Sequence, residues 1–127
     1  MQNQIFHYTV QIFYEDTDFS GTVFHANYLK YFERARSSAF GVENIIKIIN
    51  DKKAGFAVYK ANLTFSEPAR YGDILDIRSA YRFDGEFRII WNQEAWKQDG
   101  TKPAVTGEIH LVCLDEAGRL RKFPNLF

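Results

Sequence analysis

Residues 14–40 read YEDTDFSGTVFHANYLKYFERARSSAF, and the reading of the whole chain turns on them. Asp16 and Asp18 flank Thr17, and the Ser20-Gly21 pair behind them signals a turn, since glycine tolerates a sharply bent backbone. Val23-Phe24-His25 then leads to Asn27, whose short side-chain oxygen suits a helix N-cap because it can satisfy orphan N–H groups of the first turn. From there Tyr28, Tyr31, Phe32, Ala35 and Ala39 recur at helical spacing, which predicts a helix over residues 28–40. Its polar side carries Lys30, Glu33, Arg34 and Ser37. At about 1.5 Å per residue it spans roughly 20 Å. Gly41 is its natural stop, because glycine adopts the left-handed cap conformation. The pattern draws an acid, a histidine and a helix N-terminus together. A helix N-terminus carries partial positive charge and free N–H groups, so it can stabilise the negative oxygen that forms when a carbonyl is attacked.

Working outward, residues 5–14 (IFHYTVQIFY) are β-branched and aromatic and read as a strand delivering the acid pair. A second, short helix is expected over residues 43–50, where Ile45, Ile46, Ile48 and Ile49 fall near helical spacing. From Phe56 the period becomes two. Residues 56–66 read as a long strand, ended or bulged near Pro68, which lacks the ladder N–H. Residues 73–83 follow, with Leu75, Ile77, Tyr81 and Phe83 on one face and Asp76, Arg78 and Arg82 on the other. Asp84-Gly85 signals a two-residue hairpin. Residues 86–97 should place Phe87, Ile89 and Trp91 on one face, and residues 104–114 should do the same for Ile109, Leu111 and Cys113. The remaining RLRKFPNLF reads as a short, partly basic tail. No internal repeat or linker interrupts this order, so residues 1–127 form a single domain of the α+β class, a helix against one face of an antiparallel sheet.

Composition narrows the function classes. Hydrophobic residues make up 46% and aromatics 17%, with twelve Phe and seven Tyr, enough apolar surface for a core together with an acyl site or a subunit interface. Sixteen basic residues balance sixteen acidic ones, which argues against nucleic-acid binding through bulk charge. The single cysteine, Cys113, excludes an intrachain disulfide and fits a reducing compartment as a small buried hydrophobe. The N-terminal MQNQIFHYTV lacks the basic and apolar regions of a signal peptide. No apolar run approaches the roughly 20 residues of a membrane span. A cytoplasmic location is the expectation.

The pattern Y-E-D-T-D-x-x-G-x-V-x-H-x-x-Y-L-x-x-F-E-x-A-R over residues 14–36 resembles the signature of the hotdog-fold acyl-CoA thioesterases, in the YbgC-like branch of the 4-hydroxybenzoyl-CoA thioesterase family. K-A-N-L-T-F-S-E-P-A-R-Y-G-D over residues 60–73 is consistent with that family's second motif. The resemblance implies a hotdog fold, an antiparallel sheet wrapped around a long central helix, assembled as a homodimer or homotetramer with sites at subunit interfaces. It implies hydrolysis of acyl-CoA thioesters, fatty acyl by expectation, with acyl carrier protein as another carrier and no cofactor. Asp18 matches the family's catalytic carboxylate. His25 matches the position whose backbone N–H is the oxyanion donor. The hydroxybenzoyl enzymes carry a Tyr there, and the departure points away from a hydroxybenzoyl substrate towards general acyl groups.

A thioester carbonyl is already activated, so hydrolysis needs a positioned nucleophile and help for the oxyanion. Asp18 can act as a general base on water or attack directly to give a mixed anhydride, and the residues alone leave both routes open. The His25 side chain can move a proton or orient water, as imidazoles do. Asp16 reads as a structural loop brace, since loop aspartates bond neighbouring backbone, with a second acid in the chemistry as the lesser alternative. Ser20, His25 and Asp18 make a triad only on paper, because no G-x-S-x-G elbow surrounds Ser20. Asp16, Asp18 and His25 lack the spacing of a metal site. Lys60 and Arg70, both within the second motif, are the candidates for coenzyme A phosphates, while Arg82 and Arg88 read as solvated charges. Tyr28, Phe32 and Phe56 are candidates to line an acyl slot, with plain core as the competing reading. His7 and His110 fall on predicted strands as ordinary solvated or core histidines. Two rival functions remain at this level. One is a non-catalytic binder of acyl thioesters or acyl carrier protein on the same scaffold, which would not need Asp18. The other is a hotdog dehydratase or hydratase, whose motif is absent.

Overall fold

The computed structural model describes residues 4–126. Its elements run β1 (Phe6–Gln11), a 3-10 turn (Tyr14–Asp16), α1 (Asn27–Phe40), α2 (Val42–Lys52), β2 (Gly55–Phe65), β3 (Ile74–Phe83), β4 (Arg88–Lys97), β5 (Val105–Leu114) and β6 (Leu120–Arg121). Every pairing is antiparallel, in the order β1-β3-β4-β5-β2, with β6 added to β5. The sheet wraps around α1, and this is the hotdog fold. No helix among the described residues is long and apolar enough to cross a membrane.

The two periods explain the core. Tyr28, Tyr31, Phe32, Ala35 and Phe40 of α1 are buried, as a helical stripe requires. They meet the inward residues of the strands, Leu75 and Ile77 of β3, Ile89 and Trp91 of β4, and Ile109 and Cys113 of β5. Helix and sheet approach closely at Gly107. A Cβ built there would lie 2.7 Å from Cε2 of Phe32, so only glycine lets β5 pass under that ring. The inward face also carries polar groups. Gln93 Nε2 donates to the Phe32 carbonyl at 2.9 Å and lies 3.0 Å from Ser79 Oγ, while Gln93 Oε1 accepts from Arg36 Nη1 at 3.1 Å.

The structure departs from the sequence reading at several points. The first strand stops at Gln11, because the next residues fold into the 3-10 turn, where Asp16 Oδ2 accepts the Phe13 N–H at 2.8 Å. The Asp84-Gly85 signal does not make a two-residue hairpin. The last β3–β4 pair is Phe83 with Ile89, and the Asp84 N–H reaches the Arg88 carbonyl, so the connection is longer and β4 starts at Arg88. Phe83 and Phe87 therefore lie at the turn end of the hairpin, 50% and 44% exposed, rather than in the core. Phe32 is completely buried against Gly107 and is core, not slot lining. The tail contains β6, too short to show any periodicity. α1 ends where expected, at Gly41 with φ 91°, and the same residue precedes α2.

Candidate active site

The acid loop is a tight hairpin. Thr17 and Val23 form an antiparallel bridge, the Asp18 N–H donates to the Thr22 carbonyl at 2.9 Å, and the Gly21 N–H donates to the Asp18 carbonyl at 3.0 Å. Gly21 sits at φ +81°, which side chains disfavour. Within this turn Asp18 Oδ1 accepts the Ser20 N–H at 2.9 Å and the Ser20 hydroxyl at 2.5 Å. Those two bonds, the hydroxyl's first, hold the Asp18 carboxyl below its ordinary range, and the nearby His25 acts in the same direction. Asp18 is therefore an exposed carboxylate with one oxygen held and Oδ2 without a hydrogen-bond partner among the described residues. Ser20 spends its hydroxyl on Asp18 and Thr22, 2.9 Å away, and is a holder of the acid rather than a nucleophile.

The helix mouth follows directly. The Phe24 N–H donates to the Asp16 carbonyl, and the Asn27 and Tyr28 N–H groups donate to the carbonyls of Phe24 and His25. The N–H groups of His25 and Ala26 have no acceptor among the described residues. Ala26, not Asn27, occupies the N-cap position, and among the described residues no side chain caps the helix. Asn27 instead donates from Nδ2 to the Asp16 carbonyl at 2.9 Å, tying the first helical residue to the acid loop. The expected cap is thus a tether, because the turn before α1 already curls helically and leaves Asn27 inside it. Asp16 is the brace it was read as: its carboxylate closes the 3-10 turn and its carbonyl takes two bonds from the helix mouth.

Beside this mouth is a slot of about 220 Å³ lined by Val23, His25, Tyr28, Phe65, Glu67 and Pro68. The His25 ring lies between Phe24 and Phe65, with centroids 4.7 and 6.0 Å away. Tyr28 is 2% exposed and its hydroxyl has no hydrogen-bond partner among the described residues. Burial pushes its ionisation up to about 12, so it stays neutral. Burial likewise raises Tyr31, with the Asp16 carboxylate adding to the effect. A larger hollow of about 360 Å³ between the turns at 72–74 and 97–100 shares Glu67 with the slot. It is walled mainly by charged and backbone groups, so the smaller apolar slot is the better place for an acyl chain. Val23, Phe65, Glu67 and Pro68 escaped the sequence reading as site residues, although three of them belong to its second motif.

That second motif is stitched to the first. The Val23 N–H donates to the Ala69 carbonyl, Thr22 bridges Arg70, and Ile12 exchanges bonds with Gly72 and Asp73. Arg70 therefore stands beside the acid loop with its guanidinium exposed. Lys60 does not join it. It lies five residues before Phe65 on β2 and on the alternate face, where its charge acts on Glu108 of β5. Phe56 lies still farther along β2 and packs on Phe40 and Phe123. His7 is exposed and bonded to Asp76, and His110 is buried between Glu108 and Tyr59. Cys113 is fully buried, which raises its thiol. Among the described residues, no three His, Cys, Asp or Glu side chains gather as a metal would require.

Comparison with known proteins places the chain among thioesterases by sequence and by fold. The profile of the thioesterase superfamily matches residues 20–104. The acyl-CoA thioesterase YbgC of Helicobacter pylori is 42% identical over 86 residues, 68% of this chain and 63% of that protein, so the match spans less than two thirds of its length. The acyl-CoA thioester hydrolase YbgC of Escherichia coli O157:H7 is 28% identical over 91% of this chain and 86% of its own. Among solved structures, a probable thioesterase from Bartonella henselae superposes with a TM-score of 0.79 at 29% identity, covering 96% of this chain and all of that one.

Proposed function

The chain belongs to the thioesterase superfamily, and from that membership we propose that it hydrolyses acyl-CoA thioesters to a free acid and coenzyme A. The observation that carries this reading is the meeting, at one helix mouth, of an exposed carboxylate, two unpaired backbone N–H groups and an apolar slot. The acyl chain lies in the slot against Tyr28 and Phe65. The thioester oxygen faces the His25 N–H, which with the α1 dipole stabilises the tetrahedral oxyanion. Asp18 is ionised at neutral pH and ready for either role. As a base it takes a proton from water as that water attacks the carbonyl. As a nucleophile it forms an anhydride that water then cleaves. In both routes the thiolate leaves and is protonated. Single turnover in heavy-oxygen water identifies direct attack when the anhydride is opened at the Asp18 carbonyl carbon, since label then enters the Asp18 carboxyl. Trapping the acyl-enzyme anhydride with hydroxylamine detects direct attack when water opens it at the acyl carbon.

The slot's walls favour an aliphatic, fatty acyl group. Arg70 is the phosphate contact that fits best, being exposed beside the loop. Lys60 serves a site only if a second copy presents it. Coenzyme A is the carrier of first choice and acyl carrier protein the second, in the cytoplasm. Among the described residues β2 pairs only with β5, so its other edge, eleven residues long and largely exposed, is open and ends at the slot with Phe65. An open edge of that length invites pairing, and two copies joined there make a homodimer that closes the slot, or the half of a homotetramer.

The test is thiol release from a panel of acyl-CoAs, short aliphatic through palmitoyl to benzoyl, by wild type and a folded Asp18→Asn variant. Turnover should collapse in the variant. Full turnover by it removes Asp18 from the chemistry, and a wild type that binds acyl-CoA without hydrolysis is a binding protein.

A further inference from the structure

A second cavity, of about 180 Å³, lies between the middle of α1 and the start of β2, and the reaction above makes no use of it. Phe40, Ile45, Phe56, Val58 and Leu111 form its apolar wall, and Arg36 forms one side. Arg36 is only 8% exposed. Its Nη1 donates to Gln93 Oε1, a neutral partner already engaged with Phe32 and Ser79. Among the described residues no carboxylate comes within ion-pair distance of the guanidinium. Glu33, also at the cavity, is exposed and binds the Ser37 hydroxyl at 2.6 Å. Arg36 and Glu33 belong to the F-E-x-A-R part of the signature, yet the hydrolysis scheme gives neither a role. The Glu33 charge acts on Arg36 only from beyond ion-pair distance. Among the described residues the buried guanidinium therefore has no directly paired counter-charge, which is costly, and an anionic ligand supplies one. The volume equals about six waters at roughly 30 Å³ each, which suits a short alkyl chain.

We propose that this cavity binds a short alkyl carboxylate, its carboxylate on Arg36 and its chain among Phe40, Ile45, Phe56 and Leu111. Beyond the bond to Gln93 the guanidinium keeps further N–H donors, and a planar fork grips a carboxylate through two of them. The same chemistry has two sources. One is a free acid, the product class of the hydrolysis. The other is the far end of an acyl chain that terminates in a carboxylate, and this arm rests on the proposed function. β2 touches both cavities, Phe65 at the first and Phe56 and Val58 at the second. Antiparallel β2–β2 pairing across a two-fold axis sets opposite ends of the strand together, so one copy's Arg36 cavity approaches the other's Asp18 slot.

The experiment titrates the isotope-labelled chain with hexanoate, and separately with hexanol, while following the Arg36 Nε–H resonance. Hexanoate should shift it saturably and hexanol should not. Arg36→Met should weaken hexanoate by about tenfold or more. Glu33→Gln, on the exposed rim, removes an opposing charge and should tighten it, which keeps the test intact if Arg36→Met does not fold. In parallel, adipyl-CoA and hexanoyl-CoA are compared for thiol release. Preference for adipyl-CoA that vanishes in Arg36→Met identifies the acyl-chain end as the source. A hexanoate shift without that preference identifies the free acid. A silent Arg36 resonance with equal turnover of the two thioesters overturns the proposal, as does hexanol binding as tightly as hexanoate. If neither thioester is turned over, the thioesterase reading fails while the hexanoate titration still judges the cavity.

Discussion

Gly107→Ala should destabilise the protein, and the sign alone is informative. Alanine in place of a strand glycine ordinarily helps, by about 0.4 to 1 kcal/mol, because it restricts the unfolded chain. Here the new methyl would sit 2.7 Å from Phe32 Cε2 and 3.2 Å from Cδ2, while Leu63 Cδ1 at 3.5 Å is an ordinary neighbour. Carbon pairs rest about 3.5 to 4.0 Å apart, so the nearest contact is short by about 0.8 Å or more. Phe32 is completely buried, so its ring is held by close-packed neighbours. The clash must be relieved by moving α1 off the sheet, at an overpacking cost of about 1 to 3 kcal/mol. Urea unfolding at fixed protein concentration measures it as a lower midpoint with unchanged slope. Phe32→Leu should relieve the clash, so the double variant should lose less than the two single losses combined, by about 0.5 kcal/mol or more. A Gly107→Ala protein as stable as wild type, or strict additivity with Phe32→Leu, would refute the close-approach argument. Because α1 carries the helix mouth at its start, kcat/KM on acyl-CoA should fall as well.

Two further predictions concern the acid loop. Ser20→Ala removes the bond that contributes most to the low ionisation of Asp18, so that carboxyl moves up towards its ordinary value. The Asp18 carboxylate is then lost at a higher pH, and the acid limb of the pH dependence of kcat/KM should shift upward; an unmoved limb assigns it to another group. Asn27→Ala removes the tether from α1 to the Asp16 carbonyl, with a stability cost of about 1 kcal/mol. Loss of alignment between the helix mouth and Asp18 should lower kcat/KM by about tenfold or more. Measured by turnover beside urea unfolding, activity that stays intact despite the stability loss would make the tether purely structural.

The fold was legible wherever period and burial coincide. The stripe from Tyr28 to Phe40 located α1 within one residue, and the alternation through Leu75, Ile77 and Tyr81 located β3. The acid loop was equally visible, because Gly21 does occupy the left-handed region that the Ser20-Gly21 pair implied. What stayed hidden depends on contacts between distant segments. Phe32 and Tyr28 look alike as aromatic helix residues, and only Gly107 on β5 decides that Phe32 is core while Tyr28 reaches the slot. Asn27 has the chemistry of a cap, but the Asp16 carbonyl claims its amide. Lys60 and Phe65 share one motif, and strand alternation sends them to opposite faces. Strand order is not a property of any local stretch, so the pairing of β2 with β5 could not be read from periodicity.

That strand order bears on when the chain becomes functional. β1 and β2 are neighbouring strands in the sequence but stand at the two ends of the β1-β3-β4-β5-β2 order. On the ribosome the acid loop and α1 emerge before the later strands, yet β1 must wait for β3, and β2 must wait for β5, three strands further along the chain. Non-local pairing of this kind slows folding. The slot, with one wall at the start of α1 and the other at the end of β2, is then among the last features to form. Until then β2 emerges with both edges unpaired, in need of protection from other nascent chains.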